Sequence, residues 1–190
     1  MKSTVLNELY PNSMKNKLIV IDKNDNIVGY EEKEKCHDNE GIPHSAFSVF
    51  IFNNKGQLLI QQRSKFKRLW PLHWSNSCCS HPRPREELKK AAQRRIAEEL
   101  GIFCELKYLY KFRYTASYKN IGSENEICAV LIGKSDDGVI LNPAEIQDFK
   151  WVDIGELRKD VERNPEKYTP WFKMEIKELL SLYTEEIINL

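Results

Sequence analysis

Histidines are concentrated in one region of this 190-residue chain. All four lie between residues 37 and 81, and three of them have other potential metal ligands beside them. His37 and His44 flank a loop that contains a glycine and a proline, so they converge only if this loop folds back. Cys79 and His81 are two residues apart in an extended stretch, which places their side chains on one side and that of Cys78 on the other. Cys79 is therefore the expected partner of His81.

Two carboxylates share one face of a predicted strand. Glu124 and Glu126 alternate with Ile127 and Ala129 on the opposite face, and Cys128 lies on the same face as the glutamates. Imidazole and carboxylate together suit a divalent cation such as Zn²⁺, Mn²⁺ or Fe²⁺. A site of three histidines and two glutamates would have a higher coordination number than a structural zinc site.

Two other interpretations of these residues remain open at this point. Each histidine alone is more often a satisfied polar or surface residue, and Glu124 and Glu126 could face solvent. A structural zinc ion could instead be held by Cys36, His37, Cys79 and His81. No pair of these residues has the two-residue gap between cysteines that such sites usually use, which disfavours this interpretation.

A predicted helix over residues 86–100 carries two charges on the face that should be buried. At about 100° per residue, Arg95 and Glu99 fall on one stripe with Ala92, and Gly101 ends the helix. An ion pair between positions i and i+4 at the edge of the helix would explain both charges without a function. Grouped with further basic residues, Arg95 would bind a diphosphate; these residues are Lys33, Arg63 and Lys67.

The pattern of strands and helices around these residues is typical of an α+β protein. Strands are predicted over residues 18–22, 27–30, 45–52, 57–63, 105–118, 124–134 and 148–152. Helices are predicted over residues 86–100, 154–163 and 170–188, with a short helical turn at 31–35. We expect two antiparallel hairpins, one formed by the first two strands and one by the next two. The prediction is one domain over residues 1–190, a mixed sheet with helices packed on it, in which residues 1–16 form a loose extension.

Composition and charge exclude several classes of function. The 29 basic and 28 acidic side chains leave a formal charge of +1, which argues against a general nucleic-acid or membrane-surface binder. The longest nearly apolar run, residues 46–52, is too short to span a bilayer, and the chain start lacks a signal-peptide pattern. Five scattered cysteines are a poor disulfide framework. We expect a cytoplasmic monomer with reduced thiols and no nucleic-acid or membrane partner.

Residues 80–102 resemble the Nudix box, a motif with glycine, glutamate and arginine at fixed distances. The matching residues are Glu86, Arg94, Ile96, Glu98, Glu99, Gly101 and Ile102. Two positions depart from the motif, because Ser80 replaces a glycine and Arg95 replaces a glutamate. A guanidinium at this position weakens the carboxylate cluster that holds Mg²⁺ in Nudix hydrolases and offers phosphate oxygens a binding group. The altered box favours holding a diphosphate over cleaving it.

A wider set of motifs is similar to type I isopentenyl diphosphate isomerases. It comprises His37 with His44, Trp70-Pro71, the run from Ser75 to Pro82, Phe112-Arg113-Tyr114, Glu124-Asn125-Glu126 and Thr169-Pro170-Trp171. This family interconverts isopentenyl and dimethylallyl diphosphate by protonating a double bond and removing a proton from the far side of a tertiary cation. The resemblance, over roughly residues 17–175, implies a Nudix-like mixed sheet and an isoprenyl diphosphate substrate.

The resemblance also implies a role for each candidate residue. Cys79 and Glu126 would be the opposing acid and base, Tyr114 would assist Glu126, and the ring of Trp171 would face the cation. One Zn²⁺ or Mn²⁺ ion would be bound by His37, His44, His81, Glu124 and Glu126. A Mg²⁺ ion on the diphosphate would be bound by Glu99, and the remaining phosphate charge would be neutralised by Lys33, Arg63, Lys67 and Arg95.

Two other functions remain open from the sequence. Glu98 and Glu99 in the box are compatible with a Nudix hydrolase of nucleoside or isoprenoid diphosphates, although Arg95 argues against it. The grouped cysteines and histidines are compatible with a zinc-stabilised binding module without turnover.

Overall fold

Strand β3 (His44–Phe52) is the central element of the computed structural model, which describes residue 14 and residues 16–190. Its β-branched and aromatic residues are typical of a strand that is buried on both faces. One face contributes Ala46, Phe50 and Phe52 to one hydrophobic cluster, and the other contributes Phe47, Val49 and Ile51 to a second cluster. The core therefore consists of two layers, one on each side of the sheet.

Eight further strands complete a mixed nine-stranded sheet. They are β1 (Lys17–Ile21), β2 (Ile27–Glu32), β4 (Leu58–Arg63), β5 (Trp74–Ser75), β6 (Cys78–Ser80), β7 (Leu106–Tyr118), β8 (Gly122–Lys134) and β9 (Ile146–Val152). The helices are α1 (Lys33–Cys36), α2 (Leu88–Leu100), α3 (Ile154–Arg163), α4 (Pro170–Leu182) and α5 (Thr184–Ile188), with a 3₁₀ turn at Pro165–Lys167. The predicted α+β class, with a mixed sheet and helices packed on it, is confirmed.

The second predicted hairpin is wrong in its pairing. Strands β3 and β4 are paired only at Phe52 and Leu58, next to the turn. Farther along β3, the short strand β6 takes the antiparallel position, with Cys79 opposite Ser48. Strand β4 instead pairs with β5 and β9. The two strands diverge because β6 forms the backbone hydrogen bonds that β4 would otherwise make.

The pairing that matters most for the candidate residues is parallel. Strand β3 lies beside β8 from end to end, and the register places His44 opposite Glu126. Strand β7 then pairs with β8 in the antiparallel direction, with Tyr114 opposite Glu126. The first residue of β3 is thus held beside Glu126, the fifth residue of β8.

Helix α2 packs on one face of the sheet and α4 on the other. Ala92, Ile96 and Leu100 of α2 are buried in the cluster that contains Phe47. Gly101 ends this helix in the left-handed conformation, with φ 69°, and its N–H bonds to Ala97. The helix begins at residue 88 rather than 86.

The predicted helix over residues 170–188 is interrupted at Tyr183. This residue has φ −122° and ψ 22° and separates α4 from α5. Its ring stacks on that of Tyr110 in β7, with ring centroids 5.0 Å apart. Periodicity along the chain does not encode such a contact between distant residues, so the sequence pattern continues through the break.

Most of the predicted extension over residues 1–16 lies outside the described residues, so it stays a prediction, as does the single-domain assignment. Within the described range, no helix combines the length and hydropathy needed to cross a membrane.

Candidate active site

Five side chains from separate segments converge beside the ends of β3 and β8. They are His37 at the end of α1, His44 at the start of β3, His81 just after β6, and Glu124 and Glu126 in β8. One ligand atom from each lies within 4.8 Å of all the others. The predicted set of three histidines and two glutamates is therefore brought together, and both glutamates are buried rather than solvated.

The loop between His37 and His44 folds back, as their convergence requires. Gly41 turns the chain with φ 76°, and the N–H of Ile42 bonds to Cys36 O at 2.9 Å. The two imidazole centroids lie 4.9 Å apart. At the start of β8, the N–H of Ser123 donates to His37 O at 3.0 Å. This hydrogen bond fixes the loop to the strand that carries both glutamates.

Backbone carbonyls orient two of the imidazoles. The Nδ1 atoms of His37 and His44 lie 2.7 Å from Lys33 O and Ile42 O, respectively. A carbonyl oxygen only accepts, so each Nδ1 donates, and Nε2 of the neutral ring presents a lone pair to the centre of the cluster. His44 Nε2 lies 3.2 Å from the corresponding atom of His81. Convergent lone pairs from buried groups fit a divalent cation.

The charges within the cluster shift the pKa values of its members. Burial disfavours the charged form of His81 and, with His44 and Lys33 nearby, holds the pKa of its imidazole well below the usual value. For Glu126, burial acts to raise the pKa, but the hydrogen bonds with His44 and Tyr114 outweigh it and lower the pKa. Neutral imidazole and ionised carboxylate are the forms that bind metals.

A cavity of about 240 Å³ adjoins the cluster and holds the other predicted site residues. Its lining includes Cys79, Tyr114 and Trp171. The Tyr114 hydroxyl donates to Glu126 Oε2 at 2.6 Å. Burial raises the pKa of the Cys79 thiol to about 11, although Arg63 opposes this shift. The adjacent Cys78 is buried in the opposite hydrophobic cluster, which confirms the predicted separation of the two cysteines.

All four predicted phosphate-binding residues line the same cavity; they are Lys33, Arg63, Lys67 and Arg95. Arg63 is only 8% exposed, and it donates from Nε to Trp70 O at 3.1 Å and from Nη2 to Leu69 O at 2.9 Å. Its Nη1 lies 3.6 Å from Cys79 Sγ. Arg63 therefore fixes the loop that forms one wall of the cavity.

The ring of Trp171 is held in place at the first turn of α4. Its Nε1–H donates to Ser75 Oγ at 3.0 Å, and its ring lies edge-on to that of Trp70 with centroids 5.3 Å apart. The ring also faces the guanidinium of Arg63, with Cζ 5.2 Å from its centroid. Trp171 packs in the core as well as lining the cavity, and its role toward a cation stays a prediction.

Comparison with known proteins agrees with this geometry. The NUDIX domain family model matches residues 42–172. Isopentenyl-diphosphate Delta-isomerase 1 of Photorhabdus laumondii is 42% identical over 172 residues, which are 90% of this chain and 98% of that protein. The protein of the same name from Aromatoleum aromaticum is 41% identical, over 91% of this chain and 97% of that protein. The chain belongs to the isopentenyl-diphosphate Delta-isomerase family.

Solved structures support the fold of this isomerase family member. A Deinococcus radiodurans protein superposes with a TM-score of 0.70 at 21% identity, over 85% of this chain and 98% of its own. A MutT protein from Methanosarcina mazei gives a TM-score of 0.60 at 21% identity, over 72% of this chain and 91% of its own. These neighbours confirm the predicted Nudix-like fold.

Glu99 is buried and ion-paired in this isomerase family member rather than exposed in the cavity. It is 2% exposed and is not among the described residues that line the cavity. Its carboxylate is paired with the guanidinium of Arg95, which also bonds to Glu98 at 2.9 Å. The role of Glu99 as a Mg²⁺ ligand stays a prediction.

The alternative zinc site built on cysteines is wrong for this isomerase family member. Among the described residues, Cys36 and Cys79 do not join the group of convergent ligands. Cys36 lies beneath β2, with Sγ 4.0 Å from Glu31 O. His73, for which no ligand role is predicted, bonds to Pro71 O at 2.9 Å in its own loop.

Three residues near the cavity have no counterpart among the sequence-predicted site residues. Ser75 holds Trp171, and Glu145 pairs with Lys67 and Arg95. Arg68 lines the cavity and donates to Asp38 Oδ1 at 2.5 Å and to Ile121 O at 2.9 Å. Their partners lie far away in the chain, so spacing alone carries no signal for them.

Proposed function

We propose that this protein interconverts isopentenyl and dimethylallyl diphosphate. The observation that carries the proposal is that Cys79 and Glu126 line one cavity, which also contains the predicted phosphate-binding cations. The names of relatives that are about 40% identical over most of the chain support the same activity. The substrate is thus an isoprenyl diphosphate.

The isomerisation requires two proton transfers. One of the pair Cys79 and Glu126 adds a proton to the terminal carbon of the double bond, which leaves a tertiary cation. The other removes a proton from the CH₂ group next to the cationic carbon, on the side toward the diphosphate. The new double bond forms between these two carbons. The reverse reaction exchanges the two roles. Tyr114 supports Glu126 through the hydrogen bond of 2.6 Å, and the face of Trp171 stabilises the cation through the ring quadrupole.

Two kinds of divalent ion belong to this proposal. The three histidines and two glutamates would hold Zn²⁺ or Mn²⁺, and Glu99 would hold Mg²⁺ near the diphosphate. A bound ion supplies positive charge that polarises its ligands and neutralises phosphate. The cationic side chains of this chain would bind phosphate oxygens; they are Lys33, Arg63, Lys67 and Arg95.

Isotope labelling tests the proposed activity. The protein, loaded with Mn²⁺ or Zn²⁺ and supplied with Mg²⁺, is incubated with isopentenyl diphosphate in D₂O. We expect dimethylallyl diphosphate that carries deuterium in the methyl group derived from the former CH₂ terminus, as read by NMR. Folded, metal-loaded protein that yields neither isomer nor label would refute the proposal.

The same incubation distinguishes a hydrolase. Arg95 pairs with Glu98 and Glu99, so a guanidinium occupies the place between two carboxylates of the Nudix box. This arrangement disfavours the carboxylate cluster that holds several Mg²⁺ ions in Nudix hydrolases, whereas the proposed single Mg²⁺ ion requires only Glu99. We therefore expect no release of phosphate or of isopentenyl monophosphate in this incubation. A parallel incubation with a nucleoside diphosphate is likewise expected to release no phosphate.

A further inference from the structure

Glu145 connects two of the proposed phosphate-binding cations. It lies in the turn before β9, and no role follows for it from the motifs or from the proposed chemistry. Its Oε1 lies 3.0 Å from Arg95 Nη2, and its Oε2 is paired with Lys67 Nζ. Each carboxylate oxygen thus serves one cation.

Lys67 and Arg95 are paired with Glu145 and also line the cavity, whereas Glu145 is not among the described lining residues. Both cations therefore reach the cavity while they are paired with this carboxylate.

The backbone around Glu145 is tied to the segment that carries Lys67. The N–H of Ser64 donates to Glu145 O at 3.0 Å, and the Ser64 hydroxyl donates to Pro143 O at 3.0 Å. The N–H of Lys67 in turn donates to Ser64 O at 3.1 Å. The carboxylate is thus anchored relative to Lys67 by main-chain hydrogen bonds.

We propose that Glu145 is a positioning residue that holds Lys67 and Arg95 in the arrangement that receives the diphosphate. This inference rests on the proposed function. Two long cationic side chains repel each other and lose rotamer entropy when they are fixed. A carboxylate between them offsets the repulsion and fixes both before the ligand arrives. Burial acts to raise the pKa of Glu145, but Lys67 and Arg95 outweigh it and lower the pKa to about 2, so the carboxylate is ionised near neutral pH.

The variant Glu145→Gln tests this inference, because it keeps the shape of the side chain and removes its charge. We expect the KM for isopentenyl diphosphate and the Kd for inorganic pyrophosphate to rise about tenfold, while kcat changes by less than about twofold. Glu162→Gln is the matched control, since its carboxylate pairs with Arg158 on the exposed face of α3 at 3.1 Å. The control is expected to change none of these constants.

Each other outcome has a defined meaning. If Glu145 were a competing anion, Glu145→Gln would bind pyrophosphate more tightly, and this result or an unchanged KM would overturn the inference. An equal loss in kcat, with a lower melting temperature, would show a general structural role and would also overturn it.

The pyrophosphate measurement separates this inference from the proposed function. Wild-type protein that binds pyrophosphate more tightly than Glu145→Gln, but does not isomerise, would refute the activity and leave the inference standing. If the wild type isomerises isopentenyl diphosphate and Glu145→Gln has the same KM and pyrophosphate Kd as the wild type, the activity stands and the inference is refuted. Wild-type protein that binds no pyrophosphate would refute the inference.

Discussion

At the scale of single residues, the orientation of two imidazoles in the cluster depends on the nitrogen that faces away from its centre. His37 and His44 both use Nδ1 to donate to a backbone carbonyl, at 2.7 Å in each case. A backbone carbonyl stays in place when the side chain of its residue is substituted. The tautomer of each imidazole therefore depends on the path of the backbone. The local chain geometry, and not a second acidic side chain, prepares these two ligands.

The adjacent cysteines provide an internal control for the proposed acid–base pair. We expect Cys79→Ser to lower kcat by about 10²–10⁴-fold, because a hydroxyl is a much weaker acid than a thiol. Cys78→Ser is expected to keep most of the turnover, since Cys78 lies in the hydrophobic cluster on the other face. Initial rates of isomerisation measure both, and equal losses would contradict the face assignment.

Glu126 is expected to serve both metal binding and turnover. Glu126→Gln replaces an anionic ligand with a neutral amide, so we expect it to lower both the Mn²⁺ or Zn²⁺ content after dialysis and kcat. Tyr114→Phe is the contrasting variant, because it removes only the hydroxyl that donates to Glu126. It should lose turnover and retain metal. Full metal retention in Glu126→Gln would count against the shared role.

At the scale of elements, helix α4 places a buried acid one turn after Trp171. Glu175 is 1% exposed, and its Oε2 has no hydrogen-bond partner within the described residues. Burial raises the pKa of this carboxyl to about 8, with a smaller contribution from Glu126. The folded state therefore favours the neutral acid, whereas the unfolded chain ionises at its ordinary pKa of about 4.5.

This difference predicts a pH-dependent stability. The unfolded state gains by ionising Glu175 as the pH rises from about 4.5 to about 8, so the free energy of unfolding falls across that window, by up to the order of 5 kcal/mol. Glu175→Gln removes this contribution. We expect the variant to be more stable than wild type at pH 8 and similar at pH 5, as measured by urea unfolding. Glu178→Gln, exposed on the same helix, should show no such divergence.

The start of strand β8 passes very close to the loop that carries His37. A Cβ atom on Gly122 would overlap His37 O, so a side chain there must displace the loop. We expect Gly122→Ala to lower metal retention after dialysis and to cost about 1–3 kcal/mol of unfolding free energy. Gly138→Ala is the control, because open space surrounds that position. Normal metal retention in Gly122→Ala would show that the loop adapts.

At the scale of the whole molecule, sequence periodicity predicts faces better than neighbours. The alternation along residues 124–134 correctly assigns Glu124 and Glu126 to one face and Ala129 to the other. This succeeds because alternation is a local property of an extended chain. The same local alternation places Cys78 and Cys79 on opposite faces.

Long-range pairing could not be predicted in the same way. The parallel partnership of β3 and β8, the departure of β4 toward β9, and the pairing of Glu145 with Lys67 join segments far apart in the chain. The local pattern of a single sequence does not indicate which distant segments contact each other. The family resemblance and the spacing of the residues together predict the metal-ligand set. The contacts of Glu145 with Lys67 and Arg95, in contrast, are visible only in the folded structure.

Metal removal tests the role of the cluster in the whole fold. Four of its five ligands lie on or next to strands β3, β6 and β8, which are already joined by backbone hydrogen bonds. We therefore expect a chelator to abolish isomerisation while far-ultraviolet circular dichroism stays native, and Mn²⁺ or Zn²⁺ to restore activity. Unfolding on chelation would instead indicate a zinc-stabilised module.

The parallel contact between β3 and β8 also has a consequence for the order of events during folding. Within the cluster, His44 and His81 are 37 residues apart, and His81 and Glu126 are 45 residues apart. Loops of this length close slowly, and parallel strands pair late because their contacts are non-local. A nascent chain in which β8 has not yet been synthesised lacks the carboxylates of Glu124 and Glu126. We therefore expect metal capture to follow the pairing of β3 with β8, and the rate of metal uptake during refolding tests this order.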